Sequence, residues 1–190
     1  MKKRKTRKYL IIGGESRLAQ CFFELYRKEC WRLSKKECDI TSEKSIRAAF
    51  LKYDFKYVLN CAAMTDMENC QKNPKECFAV NVTGAYLLNK VCLEKGKKLV
   101  HISSDYAVNP VNNYGWSKFL SEQVVNKKFL TIRTSFFSQK IFIIRNLLKG
   151  KKTAVYKNLY FNPVSINRLA EEIMKNINKK GVINIFSAEK

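Results

Sequence analysis

The sequence lacks several features that would place it in common functional classes. Its seven cysteines, at positions 21, 30, 38, 61, 70, 77 and 92, contain no CxxC pair. We therefore expect no metal site, and we interpret the cysteines as reduced, buried residues of a cytoplasmic protein. The apolar run that follows the basic N-terminus, residues 9–12, is too short for a signal peptide or a membrane span. Membrane contact is therefore not expected.

Acidic residues are also scarce, since 16 aspartates and glutamates stand against 37 lysines and arginines and leave a net charge of +21. Such an excess is typical of proteins that bind nucleic acids. The basic residues are spread along the chain, however, and most are lysines, whereas arginine is the usual residue for bidentate recognition of bases and phosphates. We expect nonspecific polyanion binding at low salt and no specific nucleic-acid partner. The strongly basic residues 1–8 are expected to form a disordered tail.

The length of the chain and its hydrophobic content of 46% favour a single folded domain over residues 1–190. Apolar runs typical of strands alternate with helical patterns. The predicted strands are residues 9–12, 30–33, 57–60, 99–103, 129–133, 154–156 and 182–186. The first predicted helix ends at residue 28 and has Leu18, Phe22 and Leu25 on one apolar stripe. The other predicted helices are residues 42–53, 74–96, the segment containing Tyr114, 141–148 and 165–178. This alternation predicts an α/β fold with a Rossmann-like, doubly wound parallel sheet, whose ligands bind beyond the carboxyl ends of the strands.

One stretch suggests proton-transfer chemistry. Tyr114 and Lys118 are four residues apart, so on a helix they share one face. A nearby ammonium stabilises a phenolate and lowers the tyrosine pKa from about 10. Ser104, at the end of a predicted strand, would complete a group of three side chains that could protonate a carbonyl oxygen. An exposed helix face is the alternative interpretation of the pair, and His101, the only histidine, is expected to be a packed residue rather than a catalytic base.

Four motifs lie at the ends of predicted strands or within predicted helices: residues 60–65, 79–81, 101–106 and 114–118. In these motifs the sequence resembles the extended short-chain dehydrogenase/reductases, and most closely the dTDP-4-dehydrorhamnose reductase family. The resemblance runs through nearly the whole chain. It implies NADPH-dependent reduction of a 4-keto-6-deoxy nucleotide sugar in deoxysugar and polysaccharide biosynthesis, with NADH as a possible substitute. It also implies a nucleotide-sugar substrate, a homodimer as one possible assembly, and a reduced C-terminal substrate lobe contributed by about residues 134–190.

The resemblance also implies roles for individual residues. Tyr114 would donate a proton to the ketone oxygen, Lys118 would lower the Tyr114 pKa and hold the nicotinamide ribose, and Ser104 would bind the same oxygen. Tyr114 and Lys118 are thereby also cofactor-binding residues. The remaining residues that would bind the cofactor are Gly13, Ser16, Arg17, Leu18, Asp39, Ile40, Ala62, Ala63 and Thr65. NADPH is favoured because Arg32, Lys35 and Lys36 follow the second strand, where a 2′-phosphate would lie.

Two departures from the family pattern leave a second hypothesis open. Ser16 stands where the phosphate turn has its second glycine, so its side chain is expected to crowd the pyrophosphate, and Glu15 adds negative charge there. Only nine residues separate Ser104 from Tyr114, fewer than the family usually has. A degenerate, non-catalytic binding or regulatory subunit is therefore the alternative to a reductase.

Overall fold

The fold is described from a computed structural model, for residues 6–137, 146, 149–152 and 162–187. Eight strands lie within these residues: β1 (Tyr9–Ile12), β2 (Cys30–Leu33), β3 (Tyr57–Asn60), β4 (Lys98–Ile102), β5 (Leu130–Thr134), β6 (Phe136–Phe137), β7 (Val164–Ser165) and β8 (Gly181–Ile185). Six of them form a parallel sheet in the order β2-β1-β3-β4-β5-β8. The remaining two, β6 and β7, pair with each other. The predicted Rossmann-like parallel fold is confirmed.

Seven α-helices are described: α1 (Arg17–Tyr26), α2 (Glu43–Lys52), α3 (Met67–Lys72), α4 (Pro74–Phe78), α5 (Gly84–Glu94), α6 (Asn113–Val124) and α7 (Ile166–Asn176). Five of them begin after a side chain that accepts a hydrogen bond from a first-turn amide, which satisfies a donor that the helix itself leaves unpaired. These capping residues are Ser16, Ser42, Asp66, Asn112 and Ser165. A π-helical turn, Ala79–Thr83, joins α4 to α5. The predicted helix over residues 74–96 is therefore interrupted.

Helices cover both faces of the sheet. One apolar core lies between the sheet and the helices α1 and α7, and the other lies between the sheet and the helices α2 and α5. Because both faces are covered, the strands need apolar side chains in both directions, which explains the continuous apolar runs in the sequence. The predicted stripe of α1 is wrong at Leu25, which is 49% exposed. The buried residues of α1 are Leu18, Ala19 and Phe22, and they face β1 and α7.

Residues 6–8, which were predicted to be part of a disordered tail, are ordered against the sheet. Thr6 forms a parallel bridge with Asp54, and its hydroxyl donates a hydrogen bond of 2.7 Å to that carboxylate. The Arg7 guanidinium lies 4.2 Å from the centre of the Trp31 ring and donates a hydrogen bond to the Cys30 carbonyl. Residues 6–8 are therefore attached to the sheet by hydrogen bonds and stacking, whereas residues 1–5 lie outside the described part of the chain.

In the described chain after residue 134, one strand joins the main sheet and one helix packs on it. The strand β8 pairs with β5 along its whole length, and α7 packs against α1. The short pair β6 and β7 forms a second sheet, and Val164 of β7 lies in the same apolar core as α1 and α7. The predicted strand over residues 154–156 lies outside the described residues, as does the helix over residues 141–148 apart from Asn146. The single-domain organisation stays a prediction.

Among the described helices, none has the length and apolar character needed to cross a membrane.

The strand order reverses between β1 and β3. The chain leaves β1 toward β2 on one side and returns to β3 on the other, so the carboxyl ends of β1 and β3 diverge into a crevice. In parallel α/β sheets, ligands bind at such a reversal. The segments that carry the sequence motifs therefore converge at this edge.

Candidate active site

The turn after β1 packs against the loop that follows β3. Gly13 has a φ of +76°, and a Cβ atom built there would lie 2.4 Å from the Ala62 backbone nitrogen. The next residue, Gly14, donates a 2.7 Å hydrogen bond to the Leu33 carbonyl at the end of β2. Glycine is required at position 13 for two reasons, its left-handed backbone and the closeness of Ala62. The turn is thus fixed against both neighbouring strands.

Ser16 does not fill the crevice as the sequence led us to expect. It is the N-cap of α1, and its Oγ accepts a hydrogen bond of 3.3 Å from the Ala19 amide. Its own amide donates to the Gly13 carbonyl at 3.0 Å. Among the described residues, the amides of Arg17 and Leu18 have no hydrogen-bond acceptor. The helix N-terminus therefore keeps two donors that an anion could use.

The Ser16 cap gives a testable stability prediction. Ser16→Ala should lower the free energy of unfolding by about 1 kcal/mol, whereas Ser16→Gly should lower it by only a few tenths. Urea unfolding monitored by circular dichroism measures both. Ser165→Ala, which removes the equivalent cap of α7, is the matched control and should cost about as much as Ser16→Ala. Equal stability of Ser16→Ala and the unmodified protein would show that the hydroxyl does not cap the helix.

Two adjoining cavities line the carboxyl edge of the sheet. The first, of about 380 Å³, lies over the ends of β1 and β3. The second, of about 490 Å³, lies over the ends of β4 and β5. Five residues line both: Glu15, Ser16, Cys61, Ala63 and Thr65. Together the two cavities form one groove.

The structure places every predicted site residue on this groove. The first cavity is lined by Gly13, Ser16, Asp39, Ile40, Ala62, Ala63 and Thr65. The second is lined by Ser16, Arg17, Leu18, Ala63, Thr65, Ser104, Tyr114 and Lys118. The three residues to which chemistry was assigned therefore share one end of the groove, next to the residues assigned to the cofactor.

Four charged residues line the first cavity: Glu15, Lys35, Asp39 and Glu76. The Asp39 carboxylate accepts hydrogen bonds from the Thr41 hydroxyl, at 2.7 Å, and from the Thr41 amide, at 2.9 Å. These bonds lower the pKa of Asp39, so it is ionised at neutral pH. Of the three basic residues considered for a 2′-phosphate, Lys35 lines this cavity. Arg32 instead stacks over Phe23, 4.9 Å from the ring centre.

Lys118 is a buried cation at the second cavity. It lies on α6, and the N-cap of this helix, Asn112, accepts a 2.8 Å hydrogen bond from the Gly115 amide. Lys118 is 3% exposed, and its ammonium donates a 2.7 Å hydrogen bond to the Ile102 carbonyl at the end of β4. Burial lowers the pKa of Lys118 to about 8, although the Glu122 carboxylate opposes this effect. The lysine is thus held in place while its charge is only partly compensated.

Tyr114 has the opposite pKa shift from the predicted one. Burial raises the pKa of Tyr114 to about 12, a hydrogen bond with the Ser104 side chain opposes this rise, and the Asp105 charge adds to it. Lys118 is not among the groups that shift this pKa, and its ammonium donates to the Ile102 carbonyl. The phenol therefore holds its proton at neutral pH. Ser104 itself donates a 2.8 Å hydrogen bond to Asp105.

Asn81 is a site-building residue that the sequence motif contained but to which no role was assigned. It lies in the π-helical turn and is 2% exposed. Its side chain exchanges two hydrogen bonds with the Met64 backbone, of 2.8 and 2.9 Å, and donates a third, of 2.8 Å, to Ser117. Asn81 thereby ties the loop after β3 to the helix that carries Tyr114. Its position among buried apolar residues was the available sequence signal.

A second unassigned group lies behind the chemistry residues. The Glu122 carboxylate is buried and forms an ion pair of 2.7 Å with Arg133. Ser103 donates a 2.5 Å hydrogen bond to the same carboxylate. Glu122 is four residues after Lys118, so the face that carries Tyr114 and Lys118 continues one turn further. A sequence search for i, i+4 repeats from Tyr114 would have found it.

The parallel sheet, its glycine turn and the Ser104, Tyr114 and Lys118 cluster define a Rossmann-like protein of the extended short-chain dehydrogenase/reductase class. More particularly, the chain belongs to the RmlD substrate binding domain family, whose model matches residues 7–184. The resemblance inferred from the sequence is thereby confirmed.

Individual relatives are similar over parts of their length. The chain is 34% identical over 108 residues to a dTDP-4-dehydrorhamnose reductase from Mycolicibacterium smegmatis, covering 49% of this chain and 32% of the relative. It is 28% identical over 137 residues to a dTDP-4-keto-6-deoxy-D-glucose reductase from Streptomyces niveus, covering 63% and 48%. The crystal structure of the Bacillus anthracis dTDP-4-dehydrorhamnose reductase in complex with NADP superimposes with a TM-score of 0.87 at 23% identity, covering 97% of this chain and 76% of that one. The chain thus spans half or less of the length of these curated relatives.

Proposed function

We propose that the protein reduces the 4-keto group of a 4-keto-6-deoxy nucleotide sugar with NADPH, in the synthesis of a deoxysugar for a polysaccharide. The observation that carries this proposal is that every residue expected to bind cofactor or substrate lines one open groove. The names of the relatives, which are reductases of such ketones, support the same substrate class. The alternative of a degenerate binding subunit loses one of its two arguments, because Ser16 caps α1 instead of closing the groove.

In this proposal the cofactor, when bound, supplies a hydride to the ketone carbon. Tyr114 gives its proton to the ketone oxygen as the carbonyl bond opens, so a ketone and one proton become an alcohol. The Ser104 hydroxyl, which donates to Asp105 in the free protein, would turn to donate its hydrogen bond to the same oxygen and stabilise the charge that develops there. The raised pKa keeps Tyr114 protonated and ready to donate. Solvent then returns the proton to the phenol.

The groove supports a particular orientation of the cofactor. The unpaired amides of Arg17 and Leu18 favour the pyrophosphate at the N-terminus of α1. Asp39 and Ile40 would then flank the adenine in the first cavity, and the nicotinamide ribose would lie against Lys118 in the second. The small side chains of Ala62 and Ala63 would leave room for the ribose or pyrophosphate of the cofactor.

A thermal-shift experiment tests the proposal. NADPH at about 100 times its Kd should stabilise the protein by about 2.7 kcal/mol by mass action. Addition of a dTDP- or UDP-linked 4-keto-6-deoxyhexose should then cause the oxidation of NADPH, which the loss of NADPH absorbance measures. Absence of stabilisation by either NADPH or NADH would overturn the reductase proposal. Stabilisation without turnover of any such sugar would favour the binding-subunit alternative.

Lys35 is proposed to select NADPH over NADH, because it lines the first cavity whereas Arg32 is stacked on Phe23. Lys35→Ala should weaken NADPH binding about tenfold and leave NADH binding unchanged, since only NADPH carries the 2′-phosphate. Titration of both cofactors by intrinsic fluorescence measures this. Lys36→Ala is the control, because Lys36 has the same charge but does not line the cavity. A similar loss in both variants would point to general electrostatic attraction instead.

A homodimer is part of the proposal. Four large apolar side chains are exposed on the adjoining helices α5 and α6: Tyr86, Leu93, Trp116 and Leu120. A second copy of the chain would bury this surface, as apolar surfaces of this kind mark interaction sites. Light scattering should give twice the chain mass for the unmodified protein and the chain mass for Trp116→Lys. Leu51→Lys, at an exposed position of α2, should remain dimeric.

Two further expectations belong to the same proposal. A cytoplasmic location is supported by the seven cysteines, none of which is paired in a disulfide. Nonspecific polyanion binding is supported by the net charge of +21 and should disappear at physiological salt.

A further inference from the structure

A chain of buried hydrogen bonds runs beneath the groove and centres on His101. The Ala62 amide donates to Asn60 Oδ1 at 3.1 Å, and Asn60 Nδ2 lies 3.2 Å from His101 Nδ1. On the other side of the ring, His101 Nε2 lies 2.9 Å from Ser121 Oγ, which donates to the Lys118 carbonyl at 2.7 Å. Asn60, His101 and Ser121 are at most 2% exposed. This series of hydrogen bonds therefore joins three elements, β3, β4 and α6.

The direction of every bond in this chain is determined. Asn60 Oδ1 accepts from an amide, so Asn60 Nδ2 is the donor toward the histidine. His101 Nδ1 must then accept, which places the ring proton on Nε2, and Nε2 donates to Ser121. Only neutral histidine satisfies this arrangement, because in a protonated ring the Nδ1–H would point at the Asn60 N–H, donor against donor. Burial, and to a lesser extent the Lys118 charge, lower the pKa of His101 well below its usual value, in agreement with the geometry.

The two ends of this chain lie at the two cavities of the groove. Ala62 lines the first cavity, where the cofactor is proposed to pass, and Lys118 lines the second. Lys118 is also held by the Ile102 carbonyl, one residue beyond His101. The strand β4 thus grips the Lys118 turn of α6 at two consecutive residues. The distance from this turn to the Ala62 loop is set through His101.

We propose that His101 is a positioning residue, which aligns the cofactor-facing loop at Ala62 with the Lys118 turn of α6 through Asn60 and Ser121. The catalytic consequence of this alignment rests on the proposed function, whereas the physical linkage does not. His101 touches neither cavity, so it acts on the groove only through its two partners.

Two conservative variants separate the two arms of the chain. His101→Asn keeps an acceptor near the Nδ1 position, toward Asn60, but cannot reach Ser121. His101→Gln keeps a donor near the Nε2 position, toward Ser121, but leaves Asn60 without its acceptor. A lost buried hydrogen bond has an effect on the order of tenfold. We expect His101→Gln to raise the KM for NADPH about tenfold with little change in kcat, and His101→Asn to lower kcat about tenfold with little change in KM.

Amide hydrogen exchange tests the linkage without turnover. The Ala62 amide should exchange about tenfold faster in His101→Gln than in His101→Asn, because only the former releases Asn60. The control is Asn89→Ala, which removes another buried hydrogen bond, of 2.9 Å from the Asn126 amide, away from the groove. It should destabilise the fold without selective exchange at Ala62.

The outcomes decide between a positioning and a merely structural histidine. Faster Ala62 exchange in His101→Gln alone, with the opposite changes in KM and kcat, supports the proposal. Exchange at Ala62 that rises equally in both histidine variants and in Asn89→Ala would overturn it. If the unmodified protein is not stabilised by NADPH, the reductase proposal fails, but the exchange comparison still decides whether His101 links the two segments.

Discussion

Lys118→Met is expected to abolish reduction and at the same time to make the fold more stable. Lys118 is 3% exposed, and burial lowers its pKa from 10.5 to about 8. The folded state therefore penalises the ammonium relative to the unfolded chain, by about 1.4 kcal/mol for each pKa unit. Methionine has a similar length without a charge. After the loss of the hydrogen bond to the Ile102 carbonyl, the net gain should be on the order of 2 kcal/mol.

The sign of the pKa shift fixes the pH at which this gain appears. Because the folded pKa of Lys118 is lower than the unfolded value, its destabilisation is complete below about pH 8 and disappears as the pH rises toward 10.5. Urea unfolding should therefore show the largest advantage of Lys118→Met near neutrality and a shrinking advantage in alkaline buffer. Lys128→Met, at an exposed position, should show neither effect. A less stable Lys118→Met protein at neutral pH would contradict the argument.

Tyr114→Phe is expected to lower turnover by about three orders of magnitude, within the range for loss of a general acid. The ring remains and fills the same space, so thermal stabilisation by NADPH should stay close to that of the unmodified protein. Single-turnover absorbance changes measure the first effect, and thermal shift measures the second. Tyr86→Phe, on the exposed face of α5, is the matched control and should retain full turnover.

The proposed proton donor is tested by how these two measurements separate. If Tyr114→Phe keeps most of its turnover, another group protonates the ketone and the assignment is wrong. If the variant loses stabilisation by NADPH along with turnover, the phenol holds the cofactor instead of the proton. Only loss of turnover with retained binding agrees with the proposed role.

Much of the sheet could be predicted because its strands are covered on both faces. Residues 9–12, 30–33 and 57–60 are short apolar runs bounded by turns, and their predicted bounds agree with β1, β2 and β3. The helix α3 was missed because its six residues are largely polar and exposed. The π-helical turn was missed because one extra residue in a helical turn changes hydrogen-bond partners without changing composition.

The members of the site could be predicted more easily than their electrostatics. Motif and strand order were enough to place Ser104, Tyr114 and Lys118 near one another. The pKa directions of Tyr114 and Lys118 depend mainly on burial, which no spacing in the sequence reveals. The effect of Ser16 was likewise misjudged, because the hydroxyl can turn toward the α1 amides only in the folded turn.

The pairing of β5 with β8 has a consequence for how the protein is made. The Thr134 hydroxyl bonds to the Ile185 carbonyl, and these two residues are 51 positions apart in the sequence. During synthesis, β5 therefore leaves the ribosome with an unsatisfied backbone edge that must wait for a distant strand, and such edges are prone to pair with other chains. We expect nascent chains halted before β8 to depend on chaperones, and completion of the sheet to be a late event in folding.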